Sequence, residues 1–142
     1  MSRSFPSCAV LATLLVLALP AAAEVYPKQD LQAIDKSKLG GGTGTIHGQF
    51  AFTRDKAPAD HAIRELSWLT IAPGDSIGYH KHVGDEDAFI IVSGTGTFTD
   101  ADGKQYPVKA GDITVVRKGQ SHGLANTGSE PLVLVDVVAA QP

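Results

Sequence analysis

The chain has 142 residues, a net charge of −3, 43% hydrophobic residues, 15 glycines, 8 prolines and one cysteine. That length fits one domain behind a short leader. The absence of a basic cluster argues against nucleic-acid or anionic-membrane binding, and the single Cys8 excludes a disulfide framework.

Residues 1–23 read as a secretory signal peptide. Arg3 gives a positive start, residues 9–19 form an apolar run, Pro20 breaks it, and Ala21, Ala22 and Ala23 are small residues at the cleavage positions. The run is too short to span a bilayer comfortably. Cys8 precedes it, which does not suit a lipid anchor. The expected mature chain begins at Glu24, carries no cysteine, is periplasmic or secreted, and is not membrane-attached after cleavage.

Residues 24–62 read as an N-terminal arm and strand. The arm, residues 24–42, ends in Gly40, Gly41 and Gly42, a flexible joint by composition. Residues 30–39 have the composition for a turn or two of helix. Residues 43–53 alternate, with Ile46, Phe50 and Phe52 on one face and Thr45, His47 and Gln49 on the other, which predicts a strand. Its edge needs a cover, from its own sheet or from a second copy across the glycine joint, so a homodimer is expected. His47 is expected in solvent, and residues 55–61, with Pro58 and His61, form a loop.

Residues 63–140 read as the main domain. Short strand signals recur at 63–71, 76–82, 88–92, 96–99, 104–108, 112–116, 121–126 and 132–138, separated by Gly, Asp and Pro breaks. No segment has a long helical period. Many short, evenly spaced strands predict an all-β sandwich or barrel.

The chemistry concentrates in two places. His80 and His82 are two residues apart, so on a strand both rings face one point, with Lys81 turned away. The acidic run Asp85, Glu86 and Asp87 follows, and His122 lies further on. Imidazole and carboxylate are the usual donors for a divalent first-row metal. His47 and His61 match no such pattern. Tyr79, Trp68, Arg64 and Gln120 are candidates for a pocket mouth, although packing or plain exposure explains each as well. No Ser-His-Asp order, phosphate-binding glycine loop or CxxC is present.

These two stretches resemble the cupin motifs. The first reads Gly74, His80, His82, a carboxylate, Gly94; the second reads Gly111, Arg117 where proline is usual, Gly119, His122 and Asn126. The resemblance spans about residues 64–138. It implies a double-stranded β-helix jelly-roll barrel and one divalent transition metal (Mn, Fe, Ni, Co or Zn) held by His80, His82, His122 and a carboxylate. The spacing to Gly94 points to Asp87, whereas residue type points to Glu86. As neighbours on a strand, only one can face the histidines. Asn126 suits turn hydrogen bonding.

Such a site leaves coordination positions open to water or substrate. Two function classes follow, because the fold alone does not choose. One is an exported metalloenzyme of dioxygenase, isomerase or decarboxylase type acting on a polar small molecule. The other is a non-catalytic protein that binds a small ligand, a sugar or the metal. A non-ligand Glu, His or Tyr beside the metal would favour the enzyme, and a purely apolar cavity the binder.

Overall fold

The computed structural model describes residues 23–141, so the leader expected at residues 1–23, with Cys8, lies outside the described residues but for Ala23. Ten strands make two sheets. They are β1 (Gln32–Ser37), β2 (Thr45–Phe52), β3 (Ile63–Ile71), β4 (Ser76–Lys81), β5 (Asp85–Ser93), β6 (Thr95–Thr99), β7 (Gln105–Lys109), β8 (Ile113–Val116), β9 (Ser121–Ala125) and β10 (Leu132–Ala140). One sheet has the order β1-β2-β3-β10-β5-β8, the other β4-β9-β6-β7, and every pairing is antiparallel. This is the expected jelly roll. Among the described residues no helix is long and apolar enough to cross a membrane.

Alternation builds the core. Ile46 and Phe50 from β2, Leu69 and Ile71 from β3, Phe89 and Ile91 from β5, and Leu132 and Leu134 from β10 are buried on the inner face of the larger sheet. Ile77, Phe98, Val108 and Leu124 close on them from the smaller sheet. Burying the inner face of every strand fixes its register, because a one-residue slip would turn these side chains to solvent.

Three expectations for the arm are corrected. Residues 30–39 are not helical: after a 3-10 turn at Lys28–Asp30 the chain forms β1, paired along its length with β2. A segment this short cannot offset helix nucleation, whereas the open edge of β2 offers ready backbone partners. That edge is therefore covered from within the chain, and the reason given for a dimer falls away. Nor are Gly40, Gly41 and Gly42 a free joint. They form a turn pressed onto β4, where a Cβ on Gly78 would lie 2.4 Å from both Gly40 O and Gly42 N, and one on Gly42 would lie 2.0 Å from Ser76 O. Glycine is needed here for close backbone approach. The turn brings Leu39 against the site described next.

Candidate metal centre

His80 on β4 and His122 on β9 are direct cross-strand partners, and His82 follows the end of β4, with its N–H donating to Gln120 O at 2.9 Å. Strand β5 begins at Asp85, three residues earlier than the apolar run predicts, and so carries Asp87 into the sheet. Asp87 shares its inner face with Phe89 and Ile91, and crosses the barrel to meet the three rings. One donor atom from each of His80, His82, Asp87 and His122 lies within 4.8 Å of all the others.

Glu86 points the other way. Its carboxylate accepts from Arg117 Nη1 at 2.6 Å and from Gln141 Nε2 at 2.8 Å, on the outside of the barrel. Of the two carboxylates left open by the sequence, strand alternation places Asp87 with the histidines and removes Glu86. Arg117 also keeps the tight turn in which a proline was expected. Its own N–H donates to Gln120 Oε1 at 2.8 Å and its carbonyl accepts from Gln120 N, so His122 stays in register.

Three Nε2 atoms converge. His82 Nε2 is 3.2 Å from His80 Nε2 and 3.1 Å from His122 Nε2, and Asp87 Oδ2 is 3.5 Å and 3.3 Å from His82 Nε2 and His122 Nε2. Two ligands at about 2.1 Å and at right angles around one ion stand ~3.0 Å apart, and tetrahedral ones ~3.4 Å. The nitrogens match the right-angled arrangement. The far side of each ring decides its tautomer. His80 Nδ1 donates to Gly78 O at 2.9 Å and His82 Nδ1 to Asp85 Oδ1 at 2.8 Å, so both Nε2 atoms present lone pairs to each other. Facing lone pairs repel unless a cation lies between them. The donor set therefore fits a divalent metal.

His122 is held by packing instead. Its ring stacks on Phe89 at 4.8 Å between centroids and meets the edge of Phe98, and its buried Nδ1 has no hydrogen-bond partner. Burial, aided by the nearby His82, pushes His122 down to about 3, and burial likewise lowers His80. Both rings are thus neutral and available as ligands at neutral pH. Burial pushes Asp87 up to about 6 and Asp136 well above the usual carboxylate range. The nearby charge of Asp87 adds to the rise of Asp136, which burial alone already holds toward its neutral form.

His80, His82 and Asp87 line a cavity of about 300 Å³, with His122 buried behind them. Besides the ligand candidates, its wall carries Lys36, Leu39, Arg54, Glu65 and Asp136. Lys36 Nζ is 3.0 Å from Glu65 Oε1, and Arg54 bridges Glu65 and Asp85. A chain of contacts therefore runs from Arg54 through Asp85 to His82. The wall is mixed: these charged side chains stand among the apolar Leu39, Ile77, Phe89 and Val138.

The suggested mouth residues lie elsewhere. Arg64 donates to the carbonyls of Pro58 and Arg54, Trp68 is on the outer sheet face, Tyr79 OH donates to Ala101 O, and Gln120 serves its turn. His47 is in solvent, paired with Asp35 at 2.8 Å, and His61 lines a separate surface groove. Asn126 holds its turn by donating to Ile71 O and Glu130 O. The wall residues had one readable signal. Glu65, Ser67 and Asp136 are polar residues at positions whose parity matches Leu69, Ile71, Leu132, Leu134 and Val138, that is, facing inward. Lys36 and Arg54 carried none.

A jelly roll with three histidines and a carboxylate gathered between its sheets defines the class. Residues 67–138 match the family model "Cupin domain", and the chain belongs to the cupin family. It is 34% identical over 102 residues to the oxalate-binding protein of Thermotoga maritima, covering 72% of this chain and 82% of that one. Auxin-binding protein 1 of Arabidopsis thaliana is 29% identical, over 58% of this chain and 46% of that one. The gentisate 1,2-dioxygenase of a Ralstonia species is 32% identical, over 59% of this chain and only 23% of that one. Among solved structures, a predicted oxalate decarboxylase from Thermotoga maritima superposes with a TM-score of 0.74 at 29% identity, covering 83% of this chain and all of that one.

Proposed function

We propose that this cupin binds one divalent transition metal through His80, His82, Asp87 and His122, and acts as a metalloenzyme on a small carboxylate-bearing molecule. The observation that carries this reading is the set of charged side chains, Lys36, Arg54, Glu65 and Asp136, in the wall beside the donor cluster. Bound there, the metal would supply a Lewis acid with positions open to a chelating ligand.

The chain's own residues set what enters. With the proton on Asp136, the cations Lys36 and Arg54 face the carboxylates Glu65, Asp85 and Asp87. A dication added to that balance leaves one net positive charge, which favours an anionic ligand. Leu39 is part of the wall, and a cavity of about 300 Å³ suits a small ligand. Glu65, held by Lys36, and Asp136, holding a proton, are non-ligand acids beside the site, which favours the enzyme over a passive binder. Similarity to an oxalate-binding protein supports the choice of a small carboxylate. It also supports a second reading, a non-catalytic binder of such an anion. Export through cleavage before Glu24, to the periplasm or beyond, belongs to the same proposal.

The test is elemental analysis of protein from its native compartment, with N-terminal sequencing, then calorimetry of oxalate and other small carboxylates on metal-free and metal-loaded protein. Binding that needs metal and is lost in His122→Ala is expected. Equal binding without metal would refute the site. Carbon dioxide release, dioxygen uptake or an isomerised product separates enzyme from binder.

A further inference from the structure

The N-terminal arm touches one of the candidate ligands directly. Strand β4 pairs with β9 at Ser76 and Ile77 and again at His80 and Lys81, and the register shifts between Ile77 and His80. The turn of residues 38–44 packs against Gly78, within that irregular stretch. On one side the His80 ring faces His82 and His122, with centroids 5.0 Å and 4.8 Å away. On its Nδ1 side, where the ring donates to Gly78 O at 2.9 Å, stands the bare α-carbon of Gly40. A Cβ on Gly40 would lie 2.8 Å from Nδ1 and 3.2 Å from Cγ of the ring.

We propose that Gly40 is a positioning residue for His80: having no side chain, it lets the turn close on the ring and keep Nε2 directed at the metal. The inference rests on His80 being a ligand, as proposed above. Gly40 lies outside residues 67–138, the part of the chain that matches the family model. The arm therefore completes the metal site as well as covering the edge of β2.

The turn is the stiffer of the two partners. Lys38 N–H donates to Gly44 O at 2.9 Å, and Gly41 N–H and Gly42 N–H donate to Lys38 O and Leu39 O at 2.9 Å and 3.0 Å. Thr43 and Ser76 exchange both backbone bonds at 3.2 Å, and Thr43 Oγ1 donates to Gly74 O at 3.2 Å. Leu39, inside the turn, packs on the core. A side chain at position 40 would therefore move the ring and not the turn. The ring would tilt away from Gly78 O, losing the acceptor that keeps its proton on Nδ1 and, with it, the direction of the Nε2 lone pair. Losing an outer partner of this kind weakens metal affinity about 10- to 100-fold.

Gly41 supplies a matched control. Both glycines have positive φ, 61° and 81°, so alanine at either position adopts the same disfavoured backbone, but a Cβ on Gly41 meets nothing within 4 Å.

Zinc competition with a chelator and imidazole nitrogen NMR of the metal-free protein test the proposal. Gly40→Ala should bind zinc at least about tenfold more weakly than Gly41→Ala, and only Gly40→Ala should shift the His80 nitrogen signals away from the Nδ1–H tautomer. In the unmodified protein the His80 ring should show a nuclear Overhauser effect to the Gly40 α-protons, a readout that stands even where Gly40→Ala fails to fold. Equal zinc affinity and tautomer in the two glycine variants, or no such effect in the unmodified protein, would overturn the role of Gly40. His80→Ala separates this from the ligand reading. Zinc retained there overturns both; zinc lost there, with the two glycine variants alike, overturns only the positioning role.

Discussion

Replacing Asp85 by Ala removes the acceptor that fixes the ring of His82. Asp85 Oδ1 lies 2.8 Å from His82 Nδ1, and its other oxygen is engaged by Arg54. The bond sets the tautomer that leaves Nε2 free, stops the ring from rotating, and makes the nitrogen a better donor. Loss of an outer partner of this kind typically weakens metal affinity about 10- to 100-fold, or about 1.4–2.7 kcal/mol. The upper part of that range is expected, because Asp85 is largely buried and its loss leaves Arg54, close to the metal, with only the more distant Glu65 at 4.0 Å. Competition with a chromogenic chelator at fixed pH measures the change directly. Asp85→Asn, which keeps an acceptor oxygen without the charge, should fall between the Ala variant and the unmodified protein. Metal affinity within about twofold of the unmodified protein in Asp85→Ala, with the fold intact, would refute the claim that this contact prepares the ligand.

Asp87→Ala should lose most bound metal by elemental analysis, whereas Glu86→Ala should keep it, since Glu86 spends its carboxylate on Arg117 and Gln141; the reverse result would move the ligand to the outer face. Metal affinity should also fall as pH drops through about 6, the value to which burial raises Asp87, because the metal takes the ionised carboxylate and a protonated one must first release its proton. His122, pushed down to about 3, adds no proton competition in that window. Calorimetry in buffers of different ionisation heat should record proton release on metal binding near pH 5 and little near pH 8.

The sequence by itself determined the fold class and the three histidines. Period-two alternation with evenly spaced turns is a local property, and it fixes which side chains face the core wherever one face is buried. His80 and His82 share a face for the same reason. It left Asp87 and Glu86 undecided because both parities of residues 86–92 are apolar: Phe89 and Ile91 line the core, while Ile90 and Val92 lie on the outer surface. Only pairing with β8 and β10 settled which parity is inner. The wall of the cavity was a tertiary matter throughout. Lys36 and Arg54 reach Glu65 across 29 and 11 positions of chain, and Arg54 reaches Asp85 across 31. Contacts between such distant positions leave no periodicity, so they exist only once β1 has paired with β2 and the arm has closed over the barrel mouth. Closing that mouth needs the bare backbone of Gly40, Gly42 and Gly78, three residues that in sequence look like slack and in the fold are the places where two chains segments touch without side chains between them.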